Sequence, residues 1–144
     1  MAVKELERFV TDEVRASAPV LGKGSLAAIR ARNRLGVGRG RIVERRETVS
    51  NNSESPLPAS SSGLAGGLLV LTPATLLLVG TRAAWIGHRA TELICTIPLD
   101  QVARAHLNYE GGQLRVTFVD APPWEFEIVK RDRPEALLLA TALG

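Results

Sequence analysis

The chain has 144 residues, 45% hydrophobic and 4% aromatic, with a formal net charge of +3 at pH 7. That length suits one domain whose core is filled mostly by aliphatic side chains. The single cysteine excludes an internal disulfide, and its setting in "LICTIPL" makes Cys95 read as a small buried hydrophobe.

The first segment, "VKELERFVTDEVRASA", spaces Val3, Leu6, Phe9, Val10 and Val14 three or four residues apart. This spacing predicts an amphipathic helix. The N-terminal stretch lacks the uncharged apolar run of a signal peptide. Together with the lone thiol, that places the expected setting in the cytoplasm. After the break at "APVLGKG", Ser25 is positioned to cap a second short helix, "LAAIRARNRL", ended by Gly36. "GVGRGRIVERRETV" then predicts a glycine-rich linker and an edge strand near residues 42–49. "SNNSESPLPASSSG" (residues 50–63) reads as a mobile loop.

Charge is concentrated in this region. Residues 1–22 carry three basic and four acidic groups. Residues 23–46 carry eight basic groups and Glu44, and residues 47–144 carry seven basic and ten acidic. The net values are −1, +7 and −3, so the basic character belongs to one segment. Seven arginines lie between Arg30 and Arg46, including Arg39, Arg41, Arg45 and Arg46. They suit anionic lipid at a membrane face, or nucleic-acid phosphates. A solvated helix face and linker is the plain alternative. The segment has no aromatic residue for base stacking, and "GVGRGR" lacks the spacing and preceding strand of a nucleotide fingerprint.

No charge occurs between Glu54 and Arg82, and within that stretch lies "LLVLTPATLLLVGTR". A membrane-spanning helix needs about 20 apolar residues, whereas the strongly apolar part here runs only from Leu68 to Val79. Pro73 interrupts it, at a cost of roughly 3 kcal/mol in a helix interior. In a four-residue turn the same proline is preset at the second position. The segment therefore predicts a hairpin, and its unbroken apolar runs predict strands buried on both faces. A single span through residues 64–80 is the alternative.

"TRAAWIGHRATE" reads as the next hairpin tip, carrying Arg82, Trp85, His88 and Arg89. Trp85 either anchors at an interface or covers one end of the sheet. "ELICTIP" and "QVARAHLN" predict two further strands. "QLRVTFV" alternates, with Leu114, Val116 and Phe118 on one face, and "WEFEIVK" does the same with Trp124, Phe126 and Ile128. "EALLLATAL" predicts a closing helix. Asp132 and Glu135 are spaced as a capping box, and Pro134 sits in the first turn.

These residues resemble bacterial pleckstrin-homology-like domains, in the wider group that includes GRAM-type domains. The resemblance is carried by "GLLVLTPATLLLVG", by Ile97, Pro98, Leu99 and Val102 in "IPLDQV", and by "GGQLRVTFV", "WEFEIV" and the terminal helix. It covers roughly residues 64–143. It implies an α+β, mainly β fold: a bent seven-stranded antiparallel barrel capped by a C-terminal helix. Residues 41–144 would form this domain and residues 1–40 an N-terminal helical and basic extension. It also implies a binding scaffold for phosphoinositides, peptides or proteins, in some cases self-assembling. Lipid-binding members place Lys and Arg in the loop between the first two strands, and here "SNNSESPLPASSSG" has none.

Catalysis finds no support in the spacing. His88, Cys95 and His106 provide no close pair for a metal, and Glu125 and Glu127 read as the exposed face of a strand. The expected function is a non-enzymatic binding module without cofactor or metal, acting on a protein partner or itself. A weaker charge-driven association with the inner face of the membrane would accompany it. Binding would draw on Arg39, Arg41, Arg45, Arg46, Arg82, Trp85 and Arg89. The alternatives are a nucleic-acid-associated protein using residues 30–46 and the single-span protein.

Overall fold

The computed structural model describes residues 3–34, 55–57, 65–83 and 88–144. The expected edge strand at 42–49, the Gly36 stop and the tip around Trp85 lie outside these residues. So does the 50–63 loop, except for residues 55–57.

The apolar run folds as a hairpin. Strand β3 (Ala65–Leu71) pairs antiparallel with β4 (Thr75–Ala83), in the register Leu68↔Val79, Leu69↔Leu78, Val70↔Leu77 and Leu71↔Leu76. Between them Pro73 and Ala74 are exposed. The Thr72 amide donates to the Thr75 carbonyl at 2.9 Å, and the Thr75 amide to Thr72 Oγ1 at 3.1 Å. The two threonine hydroxyls meet at 2.7 Å, so the buried Thr72 hydroxyl is satisfied within its own turn.

The unbroken run of Leu and Val follows from two separate cores. Leu69, Leu71, Leu76 and Leu78 point into the larger one, with Leu114, Val116, Trp124, Phe126 and Ile128. Leu68, Val70, Leu77 and Val79 point the opposite way, into a second cluster with Val10 and Ala90. Each face of the hairpin is covered, so period-2 alternation has nothing to report.

The cover on that second cluster is the N-terminal segment, and the helix expected there is not formed. Val3–Lys4 make a short strand, β1, Leu6–Arg8 a single 3-10 turn, and Ala16–Gly22 a strand, β2. Glu5, between the first two, has φ 63, a left-handed conformation that interrupts a helix. The apolar spacing nevertheless marks burial. Val10 is buried, with Val3, Leu6 and Phe9 packed beside it on the sheet. Val14, on the same expected stripe, is exposed.

Strand β2 joins the two halves of the sheet. Ala16 to Val20 pair with β3, while Leu21 and Gly22 pair with β8 (Trp124–Glu127). Along the other branch, β4 pairs with β5 (His88–Pro98), which takes β1 in parallel at its start. Beyond β8 come β7 (Gln113–Phe118) and β6 (Val102–Asn108). The order is β1-β5-β4-β3-β2-β8-β7-β6. The fold is thus α+β and mainly β, but the sheet has eight strands, is mixed, and is open. Among the described residues no ladder joins β5 to β6, so the expected bent seven-stranded antiparallel barrel is corrected to an open, mixed sheet of eight strands.

Helix α1 (Ser25–Arg34) follows β2, with Gly24 at φ 93 making the turn. Helix α2 (Arg133–Leu143) packs against β2 and β6, burying Ala136, Leu139 and Ala140 in the larger core. Pro134 lies in its first turn as expected, but the capping box is not made. Asp132 precedes the helix with no side-chain cap bond, and its carboxylate is buried elsewhere. Leu57 is also buried in the larger core, within the stretch expected to be mobile. A Cβ on Gly67 would lie 3.0 Å from its Cδ1, so this glycine lets Leu57 seat on β3.

Candidate binding site

Of the residues expected to bind, Arg39, Arg41, Arg45, Arg46 and Trp85 lie outside the described residues. Arg82 and Arg89 do come together, as direct cross-strand partners on β4 and β5, both exposed. Like charges directly opposite are unfavourable. Glu5 offsets this: its carboxylate accepts from Arg89 Nε at 3.1 Å and from Arg8 at 3.3 Å. A separate basic cleft gathers Arg30 of α1 with Lys130 and Arg133. Arg133 is occupied there, donating to the carbonyls of Tyr109, Glu110 and Ile128, whereas Arg30 and Lys130 are exposed.

Glu125 and Glu127 are half-buried rather than a free strand face. Glu127 Oε1 accepts from the Leu26 amide at 2.7 Å, which places a carboxylate at the start of α1, where helix donors are unsatisfied. Glu125 pairs with Lys23 at 2.7 Å and with Arg115 at 3.0 Å. Together they tie α1 to the C-terminal half of the sheet.

A concavity more enclosed than the basic cleft lies where β2 passes from β3 to β8, a place no sequence signal marked. It has a volume of about 80 Å³. Gly66, Leu68 and Thr81 come from β3 and β4, Val3 and His88 from the β1–β5 edge, Ile29 from α1, and Val129, Arg131 and Asp132 from the turn before α2. His88 Nδ1 is buried without a hydrogen-bond partner. Asp132 is only 6% exposed, and its ion-pair partner Arg131 stands 3.9 Å away on a side chain 73% exposed. Burial pushes the Asp132 carboxyl above its ordinary 3.8; Arg131 opposes this, Glu135 adds to it, and His88 opposes it.

Among the described residues the sheet also ends in an edge at β6. Arg104 and His106 are exposed along it, and α2, packed beside it, exposes Leu137 at 45% and Leu138 at 68%. Cys95 is partly buried against the larger core. Among the described residues no three His, Cys, Asp or Glu side chains cluster as a metal site, and no helix is long and apolar enough to cross a membrane. Comparison with protein-family models, with curated proteins and with solved structures gives no match.

Proposed function

We propose that the protein is a non-enzymatic binding module of pleckstrin-homology-like architecture, acting on a protein partner or on a second copy of itself. The architectural part rests on the order of elements: a four-strand meander β2–β5, a three-strand meander β6–β8, β2 shared between them, and a closing helix over the larger core. The functional part rests on one observation. Among the described residues strand β6 ends the sheet with an open edge, and the helix beside it turns two leucines outward. An unpaired edge is a template for an added strand, and exposed leucines supply the apolar contact that anchors it.

A photo-crosslinking residue at Leu138 tests this in the producing cell. The expected product is a discrete protein adduct, whose mass separates a second copy from another partner. A crosslinker at exposed Glu92 serves as the control. If Leu138 yields no adduct above that control, the reading is wrong.

Charge-driven contact with anionic membrane is the second part of the reading, favoured by the exposed Arg30 and Lys130 sharing one cleft. Flotation with anionic vesicles should fall in high salt. It should also fall when Arg39, Arg41, Arg45 and Arg46 are replaced by Ser. Unchanged flotation in that variant removes the arginine segment from the account. Preference for nucleic acid over vesicles in the same salt series would favour the alternative.

A further inference from the structure

The cavity at the β2 corner is independent of the β6 edge, and its chemistry is more selective. Its polar groups arrive from distant parts of the chain: Thr81 on β4, His88 at the start of β5, and Asp132 before α2. One of them, His88 Nδ1, is a buried nitrogen without a partner, and a second, Asp132, is a carboxylate held by one long ion pair. The Asp132 carboxylate makes no cap bond to α2, and its contact with the exposed Arg131 is long and water-screened. His88 Nδ1 has no partner; the neutral form of the ring, with its proton on Nε2, offers a lone pair there. Buried polar atoms are normally hydrogen-bonded, so an orphaned imidazole nitrogen on the same cavity as a desolvated carboxylate marks it as incomplete.

We propose that this cavity binds a primary ammonium group carried on a short apolar stem. An ammonium presents three donors and no acceptor, which matches a carboxylate, an imidazole lone pair and the hydroxyl of the buried Thr81. The remaining wall is aliphatic, with Leu21, Ile29, Leu68 and Val129 available to the stem. About 80 Å³ corresponds to two or three water volumes of ~30 Å³ each, so the stem is only a few carbons long. Gly66 on the cavity wall lets β3 approach β2 closely, since a Cβ there would lie 2.7 Å from the Val20 carbonyl oxygen. An anion of the same size is disfavoured, because it would be buried beside Asp132. The same burial that raises the carboxyl's pKa is relieved by a cation held next to it.

The shared chemistry can come from a free alkylamine or from the tip of a lysine side chain. Both are tested on the isotope-labelled full chain at fixed ionic strength, reading the His88 imidazole nitrogens and the Asp132 carboxyl carbon by NMR. Propylammonium, propionate, 1-propanol and a blocked lysine peptide form the panel. Propylammonium is expected to give saturable shifts at both residues, and propionate none. Asp132→Asn should weaken propylammonium binding about tenfold or more while leaving the backbone spectrum otherwise unchanged. A lysine peptide that binds more tightly than propylammonium assigns the site to protein lysines, and the reverse to free amines. Saturable propionate binding equal to that of propylammonium overturns the proposal. So does the absence of saturable shifts with both amines, or unchanged affinity in Asp132→Asn. The wild-type panel stands even if the variant folds poorly.

Discussion

The two halves of the sheet solve burial differently. In the β3–β4 hairpin both faces are covered: the inner by α2 and the β6–β8 meander, the outer by residues 3–10. In β7 only one face is covered. Leu114, Val116 and Phe118 are buried, whereas Gln113 and Arg115 are exposed. Alternation in a sequence therefore reports how many faces of a strand are covered, and the strand itself is the same object in both places. A continuous apolar run reads as membrane-like only while its second cover is unrecognised.

Substitutions can break this comparison. The largest effect is expected from Leu69→Ala and Leu77→Ala, which lie on opposite faces of the hairpin, each costing about 2–5 kcal/mol. In β7 the same treatment should divide by face: Leu114→Ala falls in that range, and Gln113→Ala changes stability by about 0.5 kcal/mol or less. Denaturant unfolding of the four variants measures it. If Leu77→Ala is as mild as Gln113→Ala, the outer face is not a core.

A smaller effect with a defined pH dependence comes from Asp132. Its carboxyl is raised by burial, so the folded state favours the protonated form. That contribution is fully present below 3.8 and is lost as pH rises through the folded value. Asp132→Asn should accordingly raise the melting temperature at pH 7, and the gain should vanish below 3.8. A gain that persists at acid pH would show that the carboxylate charge is not the cause. The smallest effect is expected from Arg115→Ala. It removes an exposed cross-strand pair with Glu125, worth about 1 kcal/mol or less, and high salt should shrink the difference.

Much of the C-terminal half was legible because its strands alternate and its turns carry proline or glycine. "TPAT", "QLRVTFV", "WEFE" and "EALLLATAL" all stand where their patterns put them. The N-terminal half was less so. Val3, Leu6, Phe9 and Val10 fit a helical stripe and also fit an irregular cover on a sheet, and periodicity reports burial without choosing between them. Strand β2 was hidden by Pro19, since proline argues against a central strand. It is tolerated because β8 pairs only with Leu21 and Gly22, leaving Pro19 with β3 as its one neighbour. The cavity could not be read at all. His88 and Asp132 meet only through the β2 corner, and Asp132 carried the spacing of a helix cap it does not make.

Solvent access at successive positions tests the central claim most directly. With Cys95 replaced by Ala, single cysteines would be placed in turn at Leu76, Leu77, Leu78 and Val79 on β4, and at Gln113, Leu114, Arg115 and Val116 on β7. Their labelling by a thiol reagent is then followed under native conditions. All four β4 positions should react slowly, and the β7 positions should alternate between fast and slow. Alternation along β4 as well would show that one face of the hairpin lies open to solvent, and the two-core account would fail.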